Sequence, residues 1–151
     1  MRGYQPSLWT RHGDTTDAVN HYPALTTAPT TSAHGIAIPP DHRDVLASLA
    51  LTHVAVGART ATIIIWAYKP ATQIMVSGAW SPVTAGAGFG AQWVNIGELQ
   101  IDEASDGAEC HLLEAIAGFT RLAIQVAAST GTPTIYADFG FSAHRSAGRG
   151  E

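Results

Sequence analysis

Residues 60–80 read TATIIIWAYKPATQIMVSGAW, and the fold turns on which face of this stretch is buried. It reads as two strands, 60–68 and 74–80, around a turn at KPATQ. Side chains along a strand alternate between the two faces of a sheet. Counted by twos, Ala61, Ile63, Ile65 and Ala67 line one face, and Thr62, Ile64, Trp66 and Tyr68 line the other. Both faces are largely apolar, whereas a two-layer sandwich normally keeps its outer face polar. Three covers would hide the second face: the chain's own N-terminal arm, a symmetry mate, or a larger lattice.

The surrounding sequence repeats the β pattern. Strands are expected at LASLALTHVAV (46–56), GAQWVNIGELQI (90–101), AECHLLEAI (108–116), TRLAIQVAA (120–128) and PTIYADFGF (133–141). Gly, Pro and Asp turns separate them, with DEASDG (102–107) taken as a hairpin turn. The run 120–128 is again apolar on both sides, with Ala123 and Ala127 opposite Leu122, Ile124 and Val126. The one helical candidate, DHRDVLASLALTHV (41–54), is better read as leading into a strand, because its β-branched residues disfavour a helix. About seven strands at short, regular spacing predict an all-β chain, an antiparallel β-sandwich or jelly roll. A strand from the N-terminus would make eight. The expected organisation is an extended Pro/Thr-rich arm over 1–44, a sandwich domain over 45–141 and a polar C-terminal tail over 142–151.

The arm carries Pro6, Pro23, Pro29, Pro39 and Pro40 and no sustained period. Proline removes ladder donors and biases its predecessor to extended geometry. Yet the arm also holds Tyr4, Leu8, Trp9, Tyr22 and Leu25, which a solvated linker has little use for. These five, with Ile64, Trp66 and Tyr68, are the candidate interface residues. Deleting residues 1–40 is expected to leave the sandwich folded and abolish assembly.

Charge narrows the partners. Charged residues make up 13% of the 151, Lys69 is the only lysine, and the net charge is −4. A charge-poor surface suits burial against other proteins, although a compositional bias towards Ala, Gly, Thr and Arg produces the same numbers. The basic stripe of a nucleic-acid binder is missing. No apolar run approaches the ~20 residues of a membrane span, and the N-terminus has no signal-peptide core, so neither membrane nor secretion is expected.

The single cysteine, Cys110, sits in an alternating apolar run and reads as a small buried hydrophobe. Seven histidines (His12, His21, His34, His42, His53, His111 and His144) fall at no metal-ligand spacing, though His53 and His111 lie on strands that can meet. DEASDG matches a calcium loop at Asp102, Asp106 and Gly107, but Ala104 and Leu113 occupy ligand places. GAGFG (86–90) opens a strand and not a helix, unlike a dinucleotide fingerprint. No catalytic residue, metal ligand or cofactor is assigned, and no enzyme is expected. Trp80 and Trp93 with loop 81–92 offer a sugar-stacking alternative, set against the commoner role of tryptophan in cores and interfaces.

Trp66, Tyr68, Pro70, Ala71 and Thr72 form a W-x-Y-x-P-A-T turn, and Arg121, Leu122, Gly131, Thr132, Pro133 and Thr134 form a closing "RLaiqV…GTPT" hairpin. Over residues 45–141 this pattern resembles small virion proteins of tailed bacteriophages. The resemblance implies a non-enzymatic β-sandwich, a capsid decoration (cement) protein on the outer surface of the head, or a neck or tail component. It implies manufacture in the host cytoplasm and partners among the major capsid protein or other virion proteins. It also implies a homo-oligomer, with a trimer favoured. The alternative outside this class is a carbohydrate-binding, lectin-like module.

Overall fold

Partner strands settle which face of the 60–68 strand is inner. The computed structural model describes residues 8–14, 26–32, 34–39, 47–54, 59–83, 90–103, 107–113, 116, 118–130 and 134–141. Ten strands follow in order: β1 Leu8–Asp14, β2 Ile36–Ala37, β3 Ala47–Val54, β4 Arg59–Lys69, β5 Gln73–Val76, β6 Ala79–Pro82, β7 Gln92–Glu103, β8 Gly107–Leu113, β9 Arg121–Ser129 and β10 Thr134–Phe141. The described residues contain no helix, and the chain is all-β, as expected. Eight strands form two four-stranded antiparallel sheets, β1-β10-β3-β8 and β2-β9-β4-β7; β5 and β6 form a separate ribbon.

β4 lies between β9 and β7. Ile63, Ile65 and Ala67 stand opposite Val126, Ile124 and Leu122 of β9, while Ala61 and Ile63 stand opposite Ile101 and Leu99 of β7. These positions are buried or packed on the core, so Ala61, Ile63, Ile65 and Ala67 form the inner face. The other sheet meets them with Ala47, Leu49, Leu51, Leu113, Ile135, Ala137, Phe139 and Phe141. Phe139 and Phe141 stack with ring centroids 6.5 Å apart. Facing sheets with interdigitated inner side chains give one continuous core. On the outer face of β4, Thr62, Ile64 and Trp66 stand opposite Gln100, Glu98 and Asn95. The three β4 residues are half-buried and their polar β7 partners are exposed, as an outer face should be.

Four expectations need correction. Residues 74–80 are not one strand paired with β4. They belong to the β5–β6 hairpin, with Ser77 (φ 50°) and Gly78 (φ 81°) at its tip. Two successive left-handed residues make the tight turn whose twist matches a hairpin. DEASDG does not join a hairpin, because β7 and β8 lie in different sheets; its residues 104–106 lie outside the described residues. Cys110 is exposed: β8 turns Ala108, Cys110 and Leu112 outward, and Glu109 and His111 are the half-buried positions between them. His53 and His111 do sit on adjacent strands, but their register partners are Gly107 and Leu49. They are four residues out of step, roughly 13 Å along the ladder.

Two described parts of the arm, Leu8–Asp14 and Ile36–Ala37, are edge strands, and residues 26–32 form turns and bends between them. β1 pairs with β10, and β2 pairs with β9. Ile38, just beyond β2, is fully buried in the core. The expectation that residues 1–40 can be removed without harm to the sandwich therefore does not hold, since that cut takes two edge strands and a core side chain.

Candidate functional site

Three features outside the core have a geometry worth interpreting: a strap over one sheet, a projecting hairpin, and a cleft at one open side of the sandwich.

The strap is residues 26–39. Arg121 leaves the outer face of β9 opposite Tyr68. Its Nε donates to the His34 carbonyl at 2.8 Å and its Nη2 to the Gly35 carbonyl at 2.7 Å. A planar guanidinium suits such a forked contact. The Trp93 indole N–H donates to the Thr31 carbonyl at 2.9 Å, and its ring meets Tyr68 edge-on at 5.2 Å. Within the strap, the Thr30 N–H donates to His34 Nδ1 at 3.0 Å and the His34 N–H to the Thr31 carbonyl at 3.1 Å. The Ile38 N–H then reaches the Thr120 carbonyl at 2.9 Å. Gly35 has φ +69° and lies against the sheet: a Cβ there would overlap the Leu122 carbonyl oxygen and stand 2.9 Å from Trp93 Cη2 and 3.0 Å from Ala123 Cβ. Only glycine meets both requirements. Part of the second apolar face of 60–68 is thus covered by the chain itself, at the Tyr68 end.

The hairpin β5–β6 carries most of the exposed large hydrophobics among the described residues. Ile74, Met75 and Val76 are about half exposed, and Trp80 is 66% exposed. Met75 pairs with Trp80, and Ile74 with Ser81. Both faces of the ribbon are therefore apolar and open. Its base is closed by the Val83 N–H donating to the Thr72 carbonyl at 2.8 Å and by Lys69 Nζ donating to Thr72 Oγ1 at 2.8 Å. Single exposed apolar residues are ordinary, but a contiguous group marks an interaction site.

The cleft, about 440 Å³, opens where β7 and β8 end their respective sheets. Ile65, Ile96, Leu99, Leu112 and Leu113 supply its apolar lining, and Glu98 and His111 its polar lining. Two local irregularities open it. The register of β7 slips between Ile65 and Trp66, making Ile96 an extra residue, and Gly97 then stands opposite Ile65 with no side chain. His111 Nε2 and Glu109 Oε2 lie 2.9 Å apart beside it.

The candidate residues divide accordingly. Tyr4, Tyr22 and Leu25 lie outside the described residues. Leu8 and Trp9 lie on β1, in register with Phe141 and Gly140. Ile64, Trp66 and Tyr68 share the half-buried outer face of β4, where Trp66 Nε1 donates to Gln125 Oε1 at 3.1 Å. Trp93 is engaged by its own strap, whereas Trp80 stands on the hairpin, so the two tryptophans are used differently. Among the described residues no three His, Cys, Asp or Glu side chains gather where they could hold a metal ion. Ile74, Met75 and Val76 were missed as surface residues; the Ser-Gly pair at 77–78 was the signal that could have found them. The cleft had no sequence signal, because a bulge and an edge create it. No family model, curated protein or solved structure matches the chain.

Proposed function

We propose that this chain is a non-enzymatic virion structural protein of a tailed bacteriophage, a capsid decoration (cement) protein that bridges neighbouring shell subunits. The observation that carries this is the strand order. We read β1-β10-β3-β8 over β2-β9-β4-β7 as the two interlocked Greek keys of a jelly roll. Viral capsid domains and lectins use that architecture. Fold alone does not decide function. The apolar projecting hairpin and the charge-poor composition support assembly with other proteins, and the resemblance of the W-x-Y-x-P-A-T and GTPT segments to small virion proteins points the same way. The partners are then the major capsid protein or other virion proteins, on the outer face of the head.

Immunogold labelling of tailed particles from the culture that encodes the chain tests this. Label over the head shell is the expected result. Label at the neck or tail would move the chain to that location, and unlabelled particles would overturn the virion reading. The lectin alternative rests on Trp80, which is exposed enough to stack on a sugar ring. It requires saturable glycan binding that quenches tryptophan fluorescence and is lost in Trp80→Ser.

A further inference from the structure

We propose that the β5–β6 hairpin of one copy seats in the β7–β8 cleft of a second copy, giving a head-to-tail self-association. This inference concerns the purified chain alone and stands whether or not the virion reading does.

The first argument is shape. Ile74 and Val76 point to one face of the ribbon and Met75 and Trp80 to the other, and all four are open. A flat partner would cover one face only, so the hairpin calls for a concave site. The chain carries one in the cleft, lined by Ile65, Leu99 and Leu113 together with the polar Glu98 and His111. Among the described residues, the five exposed large hydrophobics belong to these two features: four on the hairpin, and Leu112, 57% exposed, on the cleft rim. Trp80 and Met75, a cross-strand pair on one face, are the side chains that enter.

The second argument is charge. Residues 69–83, the hairpin with its base, contain Lys69 and no acid. At the cleft, Glu98 lies in the lining on β7 and Glu109 stands beside it on β8, and among the described residues neither lysine nor arginine lines it. The two surfaces are complementary in sign, which favours encounter and register.

The third is extent. Four half-exposed side chains offer an apolar patch of roughly 400 Å², at the scale of the largest patch on an ordinary monomer. One such contact is small beside a standard interface of ~1,600 Å². A hairpin-into-cleft contact is heterologous, however, so each copy makes it twice, and a rotation that closes gives a ring. The small contact is thereby repeated around a closed oligomer.

The test uses the full chain and two surface variants, with mass read by sedimentation or light scattering at about 100 µM. Trp80→Ser removes the knob, and Leu112→Glu places a charge at the cleft mouth. Gly97→Val is a second cleft variant that fills its floor; a Cβ at Gly97 meets only Ile65 Cδ1, at 3.6 Å, so the site accepts a side chain. Wild type should be an oligomer and each variant a monomer of 15.8 kDa. Two results would overturn the proposal: a monomeric wild type, whose hairpin then serves another protein; or self-association that survives both cleft variants, as in hairpin-to-hairpin pairing.

Discussion

Replacing Gly35 by alanine should destabilise the protein by about 2–4 kcal/mol, and the sign is more telling than the size. At a position where alanine fits, Gly→Ala stabilises by roughly 0.4–1 kcal/mol through the unfolded chain. Gly35 does not permit that. Its φ of +69° costs an L-residue about 1–2 kcal/mol. The new methyl would also overlap the Leu122 carbonyl, which is backbone held in the β4–β9 ladder and cannot step aside. Overpacking of this kind costs about 1–3 kcal/mol. The alternative is for the strap to lift. That forfeits the two guanidinium bonds of Arg121, about 1.5 kcal/mol each at the low end, and the Trp93 bond to Thr31, about 1 kcal/mol. The two routes cost similar amounts, so the molecule has no cheap escape. With a urea slope of about 1–3 kcal/mol/M, the midpoint should fall by about 1–2 M. Urea unfolding followed by tryptophan fluorescence reads this directly, and a shift in the native emission would report release of Trp93. An unchanged or raised midpoint would refute the seated strap.

Further outcomes follow from the same geometry. Gly78→Ala, with φ +81° but open space around its Cβ, should cost only the backbone strain of about 1–2 kcal/mol and lower the urea midpoint by about half as much as Gly35→Ala. Arg121→Ala should cost about 3 kcal/mol and speed amide exchange at Ile38 in hydrogen-exchange mass spectrometry, since two charge-assisted bonds hold the strap. Leu49→Ala, at a fully buried inner position of β3, should cost about 2–5 kcal/mol in the same denaturation assay. Removing residues 1–40 takes β1, β2 and the buried Ile38, and should leave a product without a cooperative unfolding transition by circular dichroism.

The all-β class and most strand positions were legible because alternation and turn residues are local signals. The inner face of β4 was not, since both sets of its side chains are apolar. Its partners decided the matter: Gln100, Glu98 and Asn95 flank one face, Leu99 and Val126 the other, and register is a long-range property. Cys110 went wrong for a related reason. At an edge strand beside an open cleft, Glu109 and His111 take the half-buried positions and the small apolar residues face out. The strap escaped notice because only two residues of it, Ile36 and Ala37, form a strand, and its hold lies in Arg121 and Trp93 far along the chain. The hairpin was hidden by reading 74–80 as one strand through the Ser-Gly turn.

The most direct test of the virion assignment is quantitative mass spectrometry of density-purified tailed particles from the culture that encodes this chain. The account predicts peptides of the chain in molar amounts comparable with the shell protein, retained through the gradient. Particles that lack the chain would contradict it.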